Sequence, residues 1–211
     1  MDDSFDELQI DWTKVGGLLP AIVQNQLSGQ VLMLGYMNGA ALAKTRASGK
    51  VTFYSRSRER LWTKGETSGN ALLLKSVRID CDGDALLILV EPLGPACHTG
   101  TSSCFGDADA TRPPAGFLAE LDALVARRCR RRQDGSYTSS LFEAGVRRVA
   151  QKVGEEATEV ALAAVSESDA RVLGEAADLL FHLNVLLRAR GLSLADVTDA
   201  LAERHTQKQG A

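Results

Sequence analysis

A chain of 211 residues with 45% hydrophobic and 24% charged side chains can bury one large core or two small ones, which excludes a disordered or fibrous protein. A net charge of −3 and a pI near 5.7 exclude a general basic field for nucleic acid, the run Arg127–Arg132 (RRCRRR) being a local exception. The acidic start MDDSFDELQIDW lacks the basic and apolar regions of a secretion leader, and no apolar run nears the ~20 residues of a membrane helix. A cytoplasmic location is therefore expected, with no membrane and no nucleic-acid partner.

In chain order, residues 18–37 predict two strands joined by a turn at NQLSGQ, where Ser-Gly separates apolar, β-branched runs. Ala40–Ser48 predicts a helix stopped by Gly49, and 51–54 (VTFY), 71–79 and 85–90 (ALLILV) continue a pattern of short strands. At 111–116 (TRPPAG) Pro-Pro and Gly interrupt regular structure and mark a linker, giving a sheet-rich α+β domain over 1–113 and a second domain over 114–211. Everything beyond reads as helix. Phe117–Arg132, a long run over Leu141–Val165, Ala170–Arg190 stopped by Gly191, and Leu194–Arg204 carry apolar residues at helical period, so an all-α bundle of about four helices is expected.

Within QKVGEEATEV, Lys152, Glu155, Glu156 and Glu159 follow an i, i+3, i+4, i+7 spacing and project from one side of the helix. GEAADLLFHL repeats the device with Glu175, Asp178 and His182. Such stripes are read either as a solvated face with pairs such as Lys152 to Glu156 and Arg171 to Glu175, or as hard oxygen donors gathered around Mg²⁺.

The first half offers a second cluster in DCDGD, residues 80–84. If Arg78–Asp84 is extended, Asp80, Asp82 and Asp84 share one face and Cys81 projects from the other. If Asp82-Gly83 is a hairpin turn, that alternation is lost. Four cysteines without a leader point to metal ligands or inert thiols. Cys81, Cys97 and Cys104, spaced C-x15-C-x6-C, would leave one position open on a zinc ion unless His98 fills it, while Cys129 in the Arg-rich helix reads as a small buried hydrophobe. His98 is alternatively a proton carrier beside the zinc. Arg56, Arg58, Arg60 and Lys64 are candidates for binding phosphates, with GETSGN offering backbone N–H groups although it lacks the Gly-Lys-Ser/Thr of a Walker A loop.

Residues 16–106, carrying GLLPAIVQ, VLMLGYMN, YSRSRERLWTKGETSGN, DCDGDALL and GPACHTGTSSCF, closely resemble the phosphoribosyl-AMP cyclohydrolase family. The resemblance implies Zn²⁺ on Cys81, Cys97 and Cys104, Mg²⁺ on Asp80, Asp82 and Asp84, and a homodimer whose zinc site draws cysteines from both subunits. Residues 136–188, from SYTSSLFEAGVRRVAQKVGEEATEVALAA to EAADLLFHLNVLL, resemble the phosphoribosyl-ATP pyrophosphohydrolase family. That resemblance implies Mg²⁺ held by Glu155, Glu156, Glu159, Glu175 and Asp178, one carboxylate taking the proton of an attacking water, and phosphate contacts from Lys152 and the SYT at 136–138. Together the halves resemble the fused bifunctional hydrolase of histidine biosynthesis. The second half would release pyrophosphate first, and the first half would then add water to C6 of the adenine and open the ring, much as zinc nucleobase deaminases attack that carbon. Two other readings predict different results: a nucleotide pyrophosphohydrolase with a zinc-stabilised dimerisation module would not open the ring, and a zinc-bearing nucleic-acid adaptor would retain nucleic acid through RRCRRR.

Overall fold

The computed structural model describes residues 10–107 and 111–209, so most of the acidic start lies outside the described residues. The chain divides into two compact units, Met1–Phe117 and Leu118–Ala211. Among the described residues no helix is long and apolar enough to cross a membrane.

The first unit is built on a four-stranded sheet in the order β2-β1-β6-β5. β1 (Leu19–Asn25) pairs antiparallel with β2 (Val31–Met37) and parallel with β6 (Leu86–Pro92), and β5 (Leu72–Ile79) closes the other side antiparallel to β6. Side chains alternate between the two faces: Leu19, Ala21 and Val23 of β1 and Leu86, Ile88 and Val90 of β6 are buried, their neighbours less so, although Leu86–Val90 is apolar throughout. The turn between β1 and β2 is held by Asn25 Oδ1, which accepts from the N–H groups of Leu27 and Ser28, and Gly29 supplies φ +71°. Helix α1 (Gly39–Ser48) is capped by Asn38, whose side chain accepts from Ala41 N–H, and stops at Gly49 in the left-handed region, packing Ala41, Leu42 and Thr45 inward.

A two-stranded ribbon, β3 (Thr52–Ser55) with β4 (Arg60–Thr63), lies beside this sheet. The sequence gives no strand signal for β4, since its four residues, Arg-Leu-Trp-Thr, follow a charged turn. It forms because pairing with β3 sets Trp62 against Phe53 at a ring separation of 5.0 Å. Arg60 is thus a strand residue rather than part of a loop. Phe53 is fully buried and its ring lies directly over Gly35 of β2, where a Cβ would overlap it. Gly35→Ala is expected to destabilise this unit by about 1–3 kcal/mol through overpacking, visible as a lower urea midpoint.

The extended reading of Arg78–Asp84 is corrected: β5 ends at Ile79, and Asp80 to Ala85 form a tight connection to β6. Asp80 N–H donates to Ala85 O, Asp80 Oδ1 accepts from the N–H groups of Asp84 and Ala85, and Gly83 adopts φ +74°. Antiparallel pairing of β5 with β6 forces the reversal, and the short aspartate side chain stabilises it.

The second unit is all helix: α2 (Gly116–Arg130, beginning at the unit boundary), α3 (Tyr137–Ser166), α4 (Asp169–Ala189) and α5 (Leu194–Gln209). α3 and α4 form a hairpin joined by Glu167 and Ser168, and Val125, Leu141, Phe142, Val149 and Val185 make the core. α3 starts four residues earlier than its apolar periodicity shows, because Ser136 caps it by accepting from Ser139 N–H. It is also interrupted: Gly145 stands at φ +83°, ψ 169°, a conformation that glycine permits and side chains resist. Arg188 of α4 grips Asp122 of α2 with two hydrogen bonds, Nε to Oδ1 at 2.7 Å and Nη2 to Oδ2. Asp122 is 8% exposed, so Asp122→Ala strands a largely buried guanidinium and is expected to cost about 3 kcal/mol, measured by thermal unfolding.

Candidate functional site

The turn after β5 gathers Asp80, Asp82 and Asp84 so that one oxygen of each lies within 4.8 Å of the others. Convergence comes from the reversal of the chain, not from strand alternation. Lys14, remote in sequence, places its ammonium 2.5 Å from Asp82 Oδ2 and 2.7 Å from Asp84 Oδ2, and these carboxylates raise its pKa further above the usual lysine range. A position ringed by three aspartates thus accepts positive charge.

The loop 97–104 is pinned against β2. Cys104 N–H donates to Leu32 O at 2.7 Å, and the fully buried Ser103 donates its hydroxyl to Val31 O at 2.8 Å. Thr99 Oγ1 then donates to Cys97 Sγ at 3.0 Å, and this bond, with further help from Thr101 and Cys104, lowers the Cys97 thiol to about 6. Desolvation and the neighbouring Cys97 push Cys104 up, partly offset by the ammonium of Lys64. Cys97 and Cys104 are therefore neighbours, and His98 Nδ1 stands 3.8 Å from Cys97 Sγ at an exposed position. Cys81 is exposed in the aspartate turn and does not join the other two thiols within such a cluster. Cys129 lies in α2 with its thiol against Arg188 O at 3.9 Å.

Arg56 stacks its guanidinium over the Tyr36 ring at 3.9 Å and lines a cavity of about 590 Å³ with Tyr36, Phe53, Tyr54, Ser57 and Trp62. Arg58 and Arg60 are exposed and Lys64 half-buried. In GETSGN the N–H groups of Glu66, Gly69 and Asn70 are used within the loop, by Thr63 O, Gly65 O and Ser68 Oγ, so the supply of anion-binding N–H groups is smaller than the sequence suggested.

In the second unit Glu156 of α3 and Glu175 and Asp178 of α4 bring oxygens within 4.8 Å of one another, and Glu156 and Glu175 are buried. Glu159 abuts Glu175, and desolvation followed by that carboxylate raises its pKa. Glu155 turns instead towards Lys152, Gln151 and Arg148, and Lys152 lowers its pKa. Lys152 also meets Glu156 Oε1 at 2.8 Å, and Arg171 meets Glu175 at 2.5 Å, so the two salt bridges read from the sequence exist alongside the acidic cluster. In the SYT segment, Ser136 is spent as the α3 cap and the Tyr137 hydroxyl is bound to His182.

Sequence reasoning missed Lys14, Thr99, Thr101 and Tyr36 as neighbours of these groups. Only Thr99 carried a local signal, through its spacing to Cys97.

Residues 33–106 match the family described as phosphoribosyl-AMP cyclohydrolase, and residues 118–205 match phosphoribosyl-ATP pyrophosphohydrolase. A Xanthomonas campestris pv. campestris protein named "Histidine biosynthesis bifunctional protein HisIE" is 58% identical over 203 residues, covering 96% of this chain and 95% of that protein. Proteins of the same name from Photobacterium profundum and Xylella fastidiosa (strain Temecula1) are 55% and 58% identical, over 94% and 93% of this chain and 97% and 93% of their own lengths.

Proposed function

Because this chain belongs to the bifunctional histidine-biosynthesis hydrolases, with a phosphoribosyl-AMP cyclohydrolase domain and a phosphoribosyl-ATP pyrophosphohydrolase domain, we propose which residues and ions carry its two reactions. The second domain cleaves phosphoribosyl-ATP to phosphoribosyl-AMP and pyrophosphate, and the first opens the adenine ring of the product.

For the first reaction, Cys97 and Cys104 of one subunit and Cys81 of a second would hold zinc. The donor set fits: Cys97, acidified to about 6, is a thiolate at neutral pH, the form that binds metal, and exposed Cys81 points to a donor supplied across a dimer. Zinc, when bound, supplies a water acidified towards neutral pH. His98, beside Cys97, takes the proton of the attacking water and returns it to the ring nitrogen as the C6–N1 bond opens. Arg56, which lines the aromatic cavity, would bind a substrate phosphate with Arg58, Arg60 and Lys64. Asp80, Asp82 and Asp84 would hold Mg²⁺, their all-oxygen set and their acceptance of the Lys14 ammonium suiting a hard cation.

For the second reaction, Glu156, Glu175 and Asp178, flanked by Glu159 and Glu155, would hold Mg²⁺, which when bound offsets phosphate charge and acidifies water. Glu156 is the general base, and Lys152 contacts the triphosphate from the rim. The single observation behind this reading is the convergence of buried Glu156 and Glu175 with Asp178, one oxygen of each within 4.8 Å of the others, where Lys152 and Arg171 leave one carboxylate more than the two cations beside them. Thiolate ligands also favour a reducing, cytoplasmic compartment.

The test is metal content joined to both assays. Full-length protein is expected to retain zinc through desalting, to require added Mg²⁺ for pyrophosphate release, and to lose ring opening when zinc is stripped. Undiminished turnover of both substrates after exhaustive chelation would defeat the proposal, and a retained zinc with no ring opening would leave only the pyrophosphohydrolase with a structural zinc.

A further inference from the structure

His182 is buried at 4% exposure on α4, one turn beyond Asp178, and belongs to none of the ligand sets above. Its Nδ1 lies 2.9 Å from the Asp178 backbone carbonyl, which can only accept, so Nδ1 carries the hydrogen. In the neutral imidazole Nε2 is then a lone pair, and the Tyr137 hydroxyl, 3.0 Å away, donates to it. The same Nδ1–H faces Glu156 Oε1 across 3.5 Å, the oxygen that Lys152 also holds. The ring is wedged in place by two aromatic neighbours, with centroids 6.0 Å from Tyr137 and 5.2 Å from Phe181, and Tyr137 stacks on Phe181.

The backbone is shaped to make this contact. Tyr137 and Glu156 are 19 residues apart in α3, so an unbroken helix would set them about 28 Å apart. Yet both touch one imidazole. The non-helical Gly145 between them turns the first segment of α3 back over α4.

We propose that Tyr137 and His182 are a positioning pair for the pyrophosphohydrolase site: Tyr137 fixes the ring and tautomer of His182, and the Nδ1–H of His182 orients the Glu156 carboxylate towards Glu175 and Asp178. The inference rests on the metal reading of those carboxylates. It gives histidine an orienting rather than a proton-transferring role, since both ring nitrogens are committed to protein groups. Outer partners of metal-holding groups typically matter by 10–100-fold in affinity or rate.

The test uses full-length protein and two readouts, Mn²⁺ binding followed by electron paramagnetic resonance and steady-state hydrolysis of phosphoribosyl-ATP. The binding that Glu156→Gln removes defines this site. His182→Leu is expected to weaken that binding about 10–100-fold and to lower kcat by a similar factor. His182→Asn, which keeps a donor where Nδ1 stands, should recover most of both. Tyr137→Phe removes one hydroxyl from a half-exposed side chain, so it remains folded even where His182→Leu does not, and it should weaken Mn²⁺ binding in the same direction by less. Wild-type Mn²⁺ binding and kcat in both Tyr137→Phe and a folded His182→Leu, with both lost in Glu156→Gln, would overturn the positioning pair alone. Wild-type Mn²⁺ binding in Glu156→Gln would overturn the metal reading and the pair with it.

Discussion

Cys97→Ala is expected to turn phosphoribosyl-ATP into phosphoribosyl-AMP and pyrophosphate at the wild-type rate and to stop there. Cys97 is the most acidified thiol among the described residues, held by the Thr99 hydroxyl at 3.0 Å and assisted by Thr101 and Cys104. Alanine removes the thiolate, and the remaining donors cannot make up a three-sulfur set for zinc. Loss of an outer partner of a metal ligand costs about 10–100-fold, and removal of the ligand itself should exceed the upper end of that range. Ring opening, followed by ultraviolet absorbance on supplied phosphoribosyl-AMP, should fall accordingly. Cys129→Ala is the control, because that thiol lies in the second unit, packed against its helical core and the Arg188 carbonyl. Equal ring opening in wild type and Cys97→Ala would remove the first site assignment.

Glu156→Gln should have the complementary effect, leaving phosphoribosyl-ATP intact while supplied phosphoribosyl-AMP is still opened. The substitution preserves shape and can still hydrogen-bond to Lys152. What it removes is one negative charge and one base from a site where Glu156 is 5% and Glu175 6% exposed. General-base loss alone accounts for about 10²–10⁴-fold, and weaker Mg²⁺ binding adds to it. Pyrophosphate release measured with saturating Mg²⁺ separates the two contributions: a defect rescued fully by high Mg²⁺ would assign Glu156 to metal holding and take away its role as base. Because the two reactions are carried by different units of the chain, each variant serves as the activity control for the other.

Much of this was legible in the sequence because it is written in local periodicity. Short apolar, β-branched runs marked β1, β2, β3, β5 and β6, and the i, i+3 spacing of Glu156 and Glu159 and of Glu175 and Asp178 placed acidic stripes on two helices. Proline and glycine at 111–116 suggested a linker with the boundary after residue 113, and the compact units divide after Phe117. Both family resemblances also lay in contiguous motifs, and the comparisons agree with them. β4 was missed because its strand character arises from a partner strand, with Trp62 meeting Phe53 only after pairing.

The sequence by itself determined that the chain has a sheet-rich part and a helical part and that each carries its own set of ligand-type residues, since composition and spacing act over a few neighbouring positions. Tertiary structure alone decided which of those residues meet. Reversal of the chain at Gly83, not strand pleating, draws Asp80, Asp82 and Asp84 together around Lys14. Packing of α3 on α4 selects Glu156, Glu175 and Asp178 while Glu155 turns to Lys152. The break at Gly145 lets Tyr137 reach the histidine that Glu156 also faces. These contacts join residues far apart in the chain, and the free energy that enforces them comes from burying apolar surface elsewhere, which no short window of sequence records.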